Sequence, residues 1–326
     1  MYTIPQLQEQ FVAYAKRHPF YNAPQELYDP INYILNLGGK HMRPVLVLMA
    51  CNLFTDKVEA SLPIAYGVEL FHNFSLMHDD IMDQAALRRG KPSVHTKYNE
   101  NAAILSGDAM LIYAYHYISQ APAAYLTRFI RIFNRTAIGV CEGQQMDINF
   151  ETATDVTIEQ YIKMIELKTA VLLQGAMQMG ALLGGASVEA AEQIGEFGRC
   201  MGIAFQLQDD YLDTYGDPKK FGKRVGGDIL QNKKTFLVLQ ALNIAENTLQ
   251  HALNHWMSTT VAKGEENRKI NAVRTIFDQL SIPEAIGRKV LAYEQKAMDA
   301  LQTIDVAQER KSILTEFLKK MTQREH

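Results

Sequence analysis

The chain has 326 residues, 47% hydrophobic and 21% charged, with a net charge of −3. Such a composition can bury a large core and excludes a disordered or fibrous chain, and the near-neutral charge leaves no global basic field to attract nucleic acid. Its three cysteines, Cys51, Cys141 and Cys200, show neither CxxC spacing nor histidines at zinc-ligand spacing. A disulfide framework and a zinc site are therefore unsupported, and a reducing cytoplasm is the expected location.

In chain order, Met1 to Phe20 carries Gln8, Glu9, Gln10, Lys16 and Arg17 and has no apolar core of a secretory signal. Apolar positions recur at helical spacing in Ile4 to Ala15, Pro44 to Leu53, Leu62 to Met77, Ile104 to Ile118, Ala124 to Ile138 and Ile158 to Leu183. The pattern resumes in Ala190 to Tyr211, Phe236 to Ala245, Lys269 to Leu280 and Pro283 to Leu318. The longest apolar stretch, Ala170 to Leu183, is interrupted by Gln174 and Gln178, so it reads as a buried helix and no membrane insertion is expected. Period-2 runs are missing, and the prediction is an all-α bundle of roughly ten or more helices. The breaks between helices contain no long Ser, Pro or Gly linker, which predicts one domain over 1–326.

Two acidic clusters stand out against this apolar background. Asp79, Asp80 and Asp83 follow the run Gly67 to Met77, and Asp209, Asp210 and Asp213 repeat the pattern DDxxD. On a helix, carboxylates four residues apart share a face and repel unless a cation fills the gap. A lone pair of this kind is ordinarily a solvated helix face; the second copy is what points to metal. Charge in helices long enough to cross the core also predicts a deep, ligand-filled cavity.

Four basic sites accompany the clusters. Gly38-Gly39-Lys40-His41-Met42-Arg43-Pro44 puts cations at a helix start, although Gly38 also suits a helix C-cap. Arg88-Arg89-Gly90-Lys91-Pro92 offers two guanidinium groups pointing apart, Lys168-Thr169 lies in an apolar helix, and Gly216 to Thr235 is rich in glycine and lysine. Magnesium needs few protein oxygens and completes its shell with water and phosphate. Together the six sites describe a cavity for Mg²⁺ and diphosphates.

The ordered set GGKxxRP, His72, DDxxD, RRGxP, Lys168-Thr169, FQxxDDxxD at Phe205 to Asp213, FGKxxGGD at Phe221 to Asp228 and KxT at Lys233 to Thr235 closely resembles the trans-isoprenyl diphosphate synthases. The resemblance implies an all-α, homodimeric enzyme that condenses isopentenyl diphosphate head to tail with an allylic diphosphate, using three Mg²⁺ per site. It implies metal binding by Asp79, Asp83 and Asp209, with Asp80, Asp210 and Asp213 as helpers. Lys40, Arg43, His72 and Arg89 then hold isopentenyl diphosphate, and Arg88, Lys168, Lys223 and Lys233 hold the allylic diphosphate. Thr169 and Gln206 flank the reacting carbons.

In such enzymes the residues before the first DDxxD floor the product pocket. Here these are Phe74 and Ser75, with Phe71 further upstream. Phe74 lies about 7.5 Å along the helix from Asp79 but about 140° around it, so spacing alone does not place the ring in the pocket. A single aromatic with no insertion between Asp80 and Asp83 resembles archaeal-type geranylgeranyl synthases and favours a C20 product over C15. A longer-chain synthase is the alternative. A terpene cyclase is disfavoured by the second DDxxD and by GGKxxRP, and a silent subunit by the presence of both aspartate motifs.

Overall fold

The computed structural model describes residues 1–217, 225–262 and 264–322. Among these residues the chain is helical apart from one short hairpin, as the periodicity predicts. The chain separates into two compact units, each assembled from several stretches of sequence.

The first unit comprises Met1–Arg135, Gly175–Gly195 and Asp305–Ile313. It contains α1 (Ile4–Lys16), α2 (Gln25–Asn36), α3 (Met42–Asn52), α4 (Leu62–Met82), the hairpin β1 (Leu87–Arg88) and β2 (Lys91–Pro92), α5 (Val94–Lys97) and α6 (Glu100–Ile118). Helix α3 is buried all round from Pro44 to Asn52, because every one of its residues there except Asn52 is apolar or small. Helix α4 lies along α6, and Gly67 permits the approach: a Cβ there would meet the Ala114 carbonyl at 3.0 Å. Asn99 starts α6 by accepting the Ala102 N–H at 2.8 Å, satisfying one of the donors a helix leaves open at its N-terminus.

The second unit comprises Thr136–Gln174, Glu196–Ile304 and the residues from Leu314 onward. Helix α7 (Ala123–Thr152) belongs to it from Thr136, followed by α8 (Ile158–Ile165), a π-helical turn at Glu166–Ala170, the start of α9 (Val171–Leu183, in the first unit from Gly175) and, from Glu196, α10 (Val188–Tyr215). Next come α11 (Gly227–Leu230), α12 (Phe236–Ile244), α13 (Asn247–Ser258), α14 (Glu266–Gln279), α15 (Ile282–Gln302) and α16 (Gln308–Thr322). Thr157 and Gln160 form a reciprocal capping box that fixes where α8 begins.

Several boundaries differ from those predicted. Helix α4 continues past Met77 through the first acidic cluster to Met82, and α7 continues past Ile138 to Thr152. The predicted run Pro283 to Leu318 is two helices, α15 and α16. Helices α2 and α13 were not anticipated. Pro30, whose ring opposes helix interiors, sits inside α2, where it, Ile31 and Ile34 are buried and packing outweighs the missing backbone donor.

The predicted helix Ile158 to Leu183 is α8 and α9 joined through the π turn at Glu166–Ala170, which holds Lys168 and Thr169. Two glycines make room for it. A Cβ on Gly143 of α7 would lie 2.6 Å from the Lys168 Cα, and one on Gly202 of α10 would lie 2.7 Å from the Ala170 Cα. These are backbone and Cβ atoms that cannot swing aside. Gly143→Ala is expected to destabilise the chain by about 1–3 kcal/mol in urea unfolding; an unchanged midpoint would show that the π turn yields freely.

Candidate active site

Both acidic clusters stand at the C-terminal ends of long helices, where unpaired carbonyls already create negative potential. In the first unit, α4 closes with a double cap. The Ala85 N–H donates to the Asp80 carbonyl at 2.9 Å and the Gln84 N–H to the Ile81 carbonyl at 3.2 Å, with Gln84 in the left-handed region at φ 49°. This fixes the directions of Asp79, half-buried, and Asp83, exposed. Asp80 is 1% exposed and is spoken for, since it accepts Arg88 Nε at 3.0 Å and Arg88 Nη2 at 2.5 Å. Burial works against the charge on Arg88, but the hydrogen bonds from Asp80 and the charges of Asp80, Asp79 and Asp83 outweigh it and raise its pKa.

Arg89 and Gly90 both have positive φ, 53° and 75°, which is what a two-residue turn between β1 and β2 requires. The turn sends Arg88 to the acidic cluster and Arg89 to the glycine turn, where Arg89 Nη1 donates to the Gly38 carbonyl. Gly39 has no side chain to block it: a Cβ there would lie 3.0 Å from the Arg89 Cζ. Gly38, left-handed at φ 78°, directly follows Leu37, the C-cap of α2, and its carbonyl takes part in the cation cluster.

Beside this turn, Arg43 Nη1 donates to His72 Nε2 at 2.9 Å, and Arg43 Nε is buried with no partner among the described residues. Burial lowers the Arg43 pKa to about 10, Glu69 holding it up and Arg89 pulling it down. His72 is driven well below its usual value, first by burial and then by the charges of Arg43, Arg89, Arg88 and His41. Its ring is therefore neutral, as an acceptor from arginine must be. Lys40 is exposed nearby in sequence. The chain thus places Arg43 against His72, with Arg89 at the glycine turn before α3.

In the second unit, Lys168 Nζ donates to Asp147 at 2.5 Å, and Thr169 Oγ1 donates to Gln206 Oε1 at 3.3 Å. Gln206 Nε2 reaches Asp210 at 3.4 Å, and the Tyr161 hydroxyl also donates to Asp210. Asp210 is 4% exposed; burial, then the charge of Asp228, pushes its carboxyl well above the usual range, against the pull of Tyr161 and Gln206. Asp213 receives the Asp228 N–H at 2.9 Å on its carboxylate and the Gly226 N–H at 2.5 Å on its carbonyl, tying α11 to the end of α10. Lys233 Nζ stands 3.8 Å from Asp228, half exposed. Its neighbour Lys234 caps the end of α7 by donating to the Phe150 and Glu151 carbonyls at 2.6 and 3.2 Å. Lys223 lies outside the described residues.

Phe74 lies between its helix neighbours Phe71 and His78, ring centroids 5.6 and 4.8 Å away, and Phe71 meets Phe133 of α7 edge-on at 5.3 Å. Ser75 turns its hydroxyl back to the His72 carbonyl at 2.8 Å.

Among the described residues no group of three or more His, Cys, Asp or Glu is disposed to hold a metal by itself. A magnesium ion asks for less, one or two carboxylates with water and phosphate oxygens completing the octahedron. Asp79 and Asp83, on one face at the negative end of α4 with Asp80 withdrawn by Arg88, fit that need.

Sequence reasoning missed Asp147, Tyr161, His41 and Glu69. Asp147 was recoverable: extending the period of α7 past Ile138 places Gly143 and Asp147 four residues apart on one face. Tyr161 carried no local signal.

The fold and these motifs define an all-α synthase of the isoprenoid type. Residues 24–276 match the family described as Polyprenyl synthetase, and the chain belongs to that family. It is 42% identical over 221 residues to a geranylgeranyl diphosphate synthase of Methanosarcina mazei, covering 67% of this chain and 68% of that one. A geranylfarnesyl diphosphate synthase of Natronomonas pharaonis is 37% identical over 236 residues, 67% of this chain and 69% of the other. A crystal structure of a geranylgeranyl pyrophosphate synthase aligns with a TM-score of 0.95 at 41% identity over 100% of both chains.

The depressed pKa of His72 has a consequence for stability. Folding favours the neutral ring, so this contribution is complete above the unfolded value of 6.5 and is lost as pH falls toward the lower folded value. The wild-type melting temperature is expected to drop between pH 7 and 5 by more than that of His72→Gln, as read by calorimetry. Parallel curves would refute the assignment.

Proposed function

We propose that the chain catalyses the Mg²⁺-dependent 1′-4 condensation of isopentenyl diphosphate with an allylic diphosphate, giving an all-trans C20 prenyl diphosphate. Family membership makes it a prenyltransferase. The observation that carries the substrate reading lies on one helix. His72, gripped by Arg43, and Asp79 are seven residues apart on α4, so they share a face two turns and about 10 Å apart. One helix thus presents an anion-binding group and a metal-binding group at a spacing that suits two diphosphate heads.

In this reading Lys40, Arg43, His72 and Arg89 hold the diphosphate of isopentenyl diphosphate. Asp79, Asp83 and Asp209 are the carboxylates for Mg²⁺, three ions per site, with Asp80, Asp210 and Asp213 supporting them. When bound, Mg²⁺ neutralises the charge that develops on the leaving diphosphate. Arg88, Lys168, Lys223 and Lys233 add fixed cations for the same charge, which act without reorganising during the reaction. Asp80 orients Arg88, and Asp147 orients Lys168. Thr169 and Gln206 turn a hydroxyl and an amide, neither a strong nucleophile, toward the allylic cation. The allylic C1–O bond breaks, its electron pair leaves with diphosphate, C1 joins C4 of isopentenyl diphosphate, and a proton is lost from C2 to the departing diphosphate.

Product length in this reading is set beside α4 by Phe74, with Phe71 and Ser75. The similarity to geranylgeranyl synthases supports C20, and that to a geranylfarnesyl synthase marks C25 as the nearest alternative. Ile104, Leu105 and Ile112 form an exposed apolar row on α6, which supports a homodimer. Four of the five unit boundaries fall inside helices, α7, α9, α10 and α16, which supports a single domain over 1–326. Free thiols at Cys51, Cys141 and Cys200, and the lack among the described residues of a helix long and apolar enough to cross a membrane, support a cytoplasmic enzyme.

Asp79→Ala is expected to cut diphosphate release from farnesyl diphosphate plus isopentenyl diphosphate by at least about a hundredfold; undiminished turnover would sink the metal role. Chromatography of the products should show mainly C20 for the wild type and longer chains for Phe74→Ala. An unchanged profile would place the floor elsewhere.

A further inference from the structure

Glu69 is a buried carboxylate that the roles above leave unused. It is 3% exposed on α4, three residues before His72, and accepts a hydrogen bond from His41 Nδ1 at 3.0 Å. His41 itself is held at the start of α3 in the left-handed region, φ 44°. The negative charge of Glu69 acts on both Arg43 and Arg89, strengthening the hold of each on its proton. A carboxylate taken out of water is costly unless its surroundings return the energy. Here its partner His41 stands two residues before Arg43, and His72, which Arg43 grips, lies one turn along α4, so Glu69 adjoins the cations assigned to a diphosphate and a fixed anion there opposes any anion they bind.

The reaction supplies a reason, on the function proposed above. The new bond joins the allylic C1 to C4 of isopentenyl diphosphate, so the product keeps the diphosphate that entered at Arg43, His72 and Arg89. The other diphosphate departs. A second addition requires the product to quit this site, and a cluster of uncompensated cations would retain it.

We infer that Glu69, locked by His41, is a positioning residue that weakens the Arg43 and Arg89 site for diphosphate enough for each product to leave it and be extended again. Binding of isopentenyl diphosphate in EDTA, followed by calorimetry, tests this without turnover. Glu69→Gln removes the charge while keeping an acceptor for His41, and is expected to tighten binding about three- to tenfold. Glu69→Asp keeps the charge and the wild-type affinity. Glu69→Met, of similar volume, offers a second uncharged variant should the amide not be accommodated.

In turnover, Glu69→Gln is expected to lower KM for isopentenyl diphosphate, leave KM for the allylic substrate unchanged, and shift products from geranyl diphosphate toward a single addition. Unchanged or weaker binding by the folded uncharged variants overturns the inference, because a residue that only packs or preorganises the site would give that result. A wild-type chain that binds isopentenyl diphosphate yet forms no prenyl diphosphate would overturn the catalytic reading instead.

Discussion

Carboxylates gathered at the negative end of a helix are the constraint on which the rest of the structure depends. Helices α4 and α10 each place three aspartates in or just after their last turns, where both the helix dipole and mutual repulsion disfavour charge. In each cluster the chain takes one aspartate out of the conflict. Asp80 is buried against Arg88, and Asp210 is buried under Tyr161 and Gln206. A third, Asp213, is engaged by the backbone of the segment leading into α11. The acidic pattern is therefore not uniform: Asp80, Asp210 and Asp213 are bound within the chain, and under the proposed function Asp79, Asp83 and Asp209 are the carboxylates for a cation.

The cations show the complementary economy. Arg43, Arg88 and Arg89 are each already engaged, by His72, Asp80 and the Gly38 carbonyl. Their geometry is set within the chain, so under the proposed function little ordering entropy would be lost on binding an anion. Glycine makes this possible where backbone must come close, at Gly39 under Arg89 and at Gly143 under Lys168. The π turn that carries Lys168 and Thr169 is approached closely by two neighbouring helices at Gly143 and Gly202, where a Cβ would meet its backbone.

The motif residues and the all-α class were legible because they depend on local spacing. DDxxD is a statement about one helix face, and apolar recurrence at 3.6 residues is enough to separate helix from strand. Helix ends were less legible. Pro30 opposes α2, whose stabilising burial of Ile31 and Ile34 comes from elsewhere in the chain, and the mostly polar residues after Ile138 gave the rest of α7 no apolar period to follow.

The sequence by itself determined which residue types were available, their helical periodicity, and the order of the motifs that identify the family. The tertiary structure alone decided which of them are committed to one another. Lys168 and Asp147 are 21 residues apart, Tyr161 and Asp210 are 49 apart, and His41 and Glu69 are 28 apart. No periodicity links such pairs, since a side-chain contact depends on how helices pack and on where a glycine lets them approach. The acidic clusters could therefore be found from the sequence, but that Asp80 and Asp210 are buried and bound within the chain could be read only from how the helices pack.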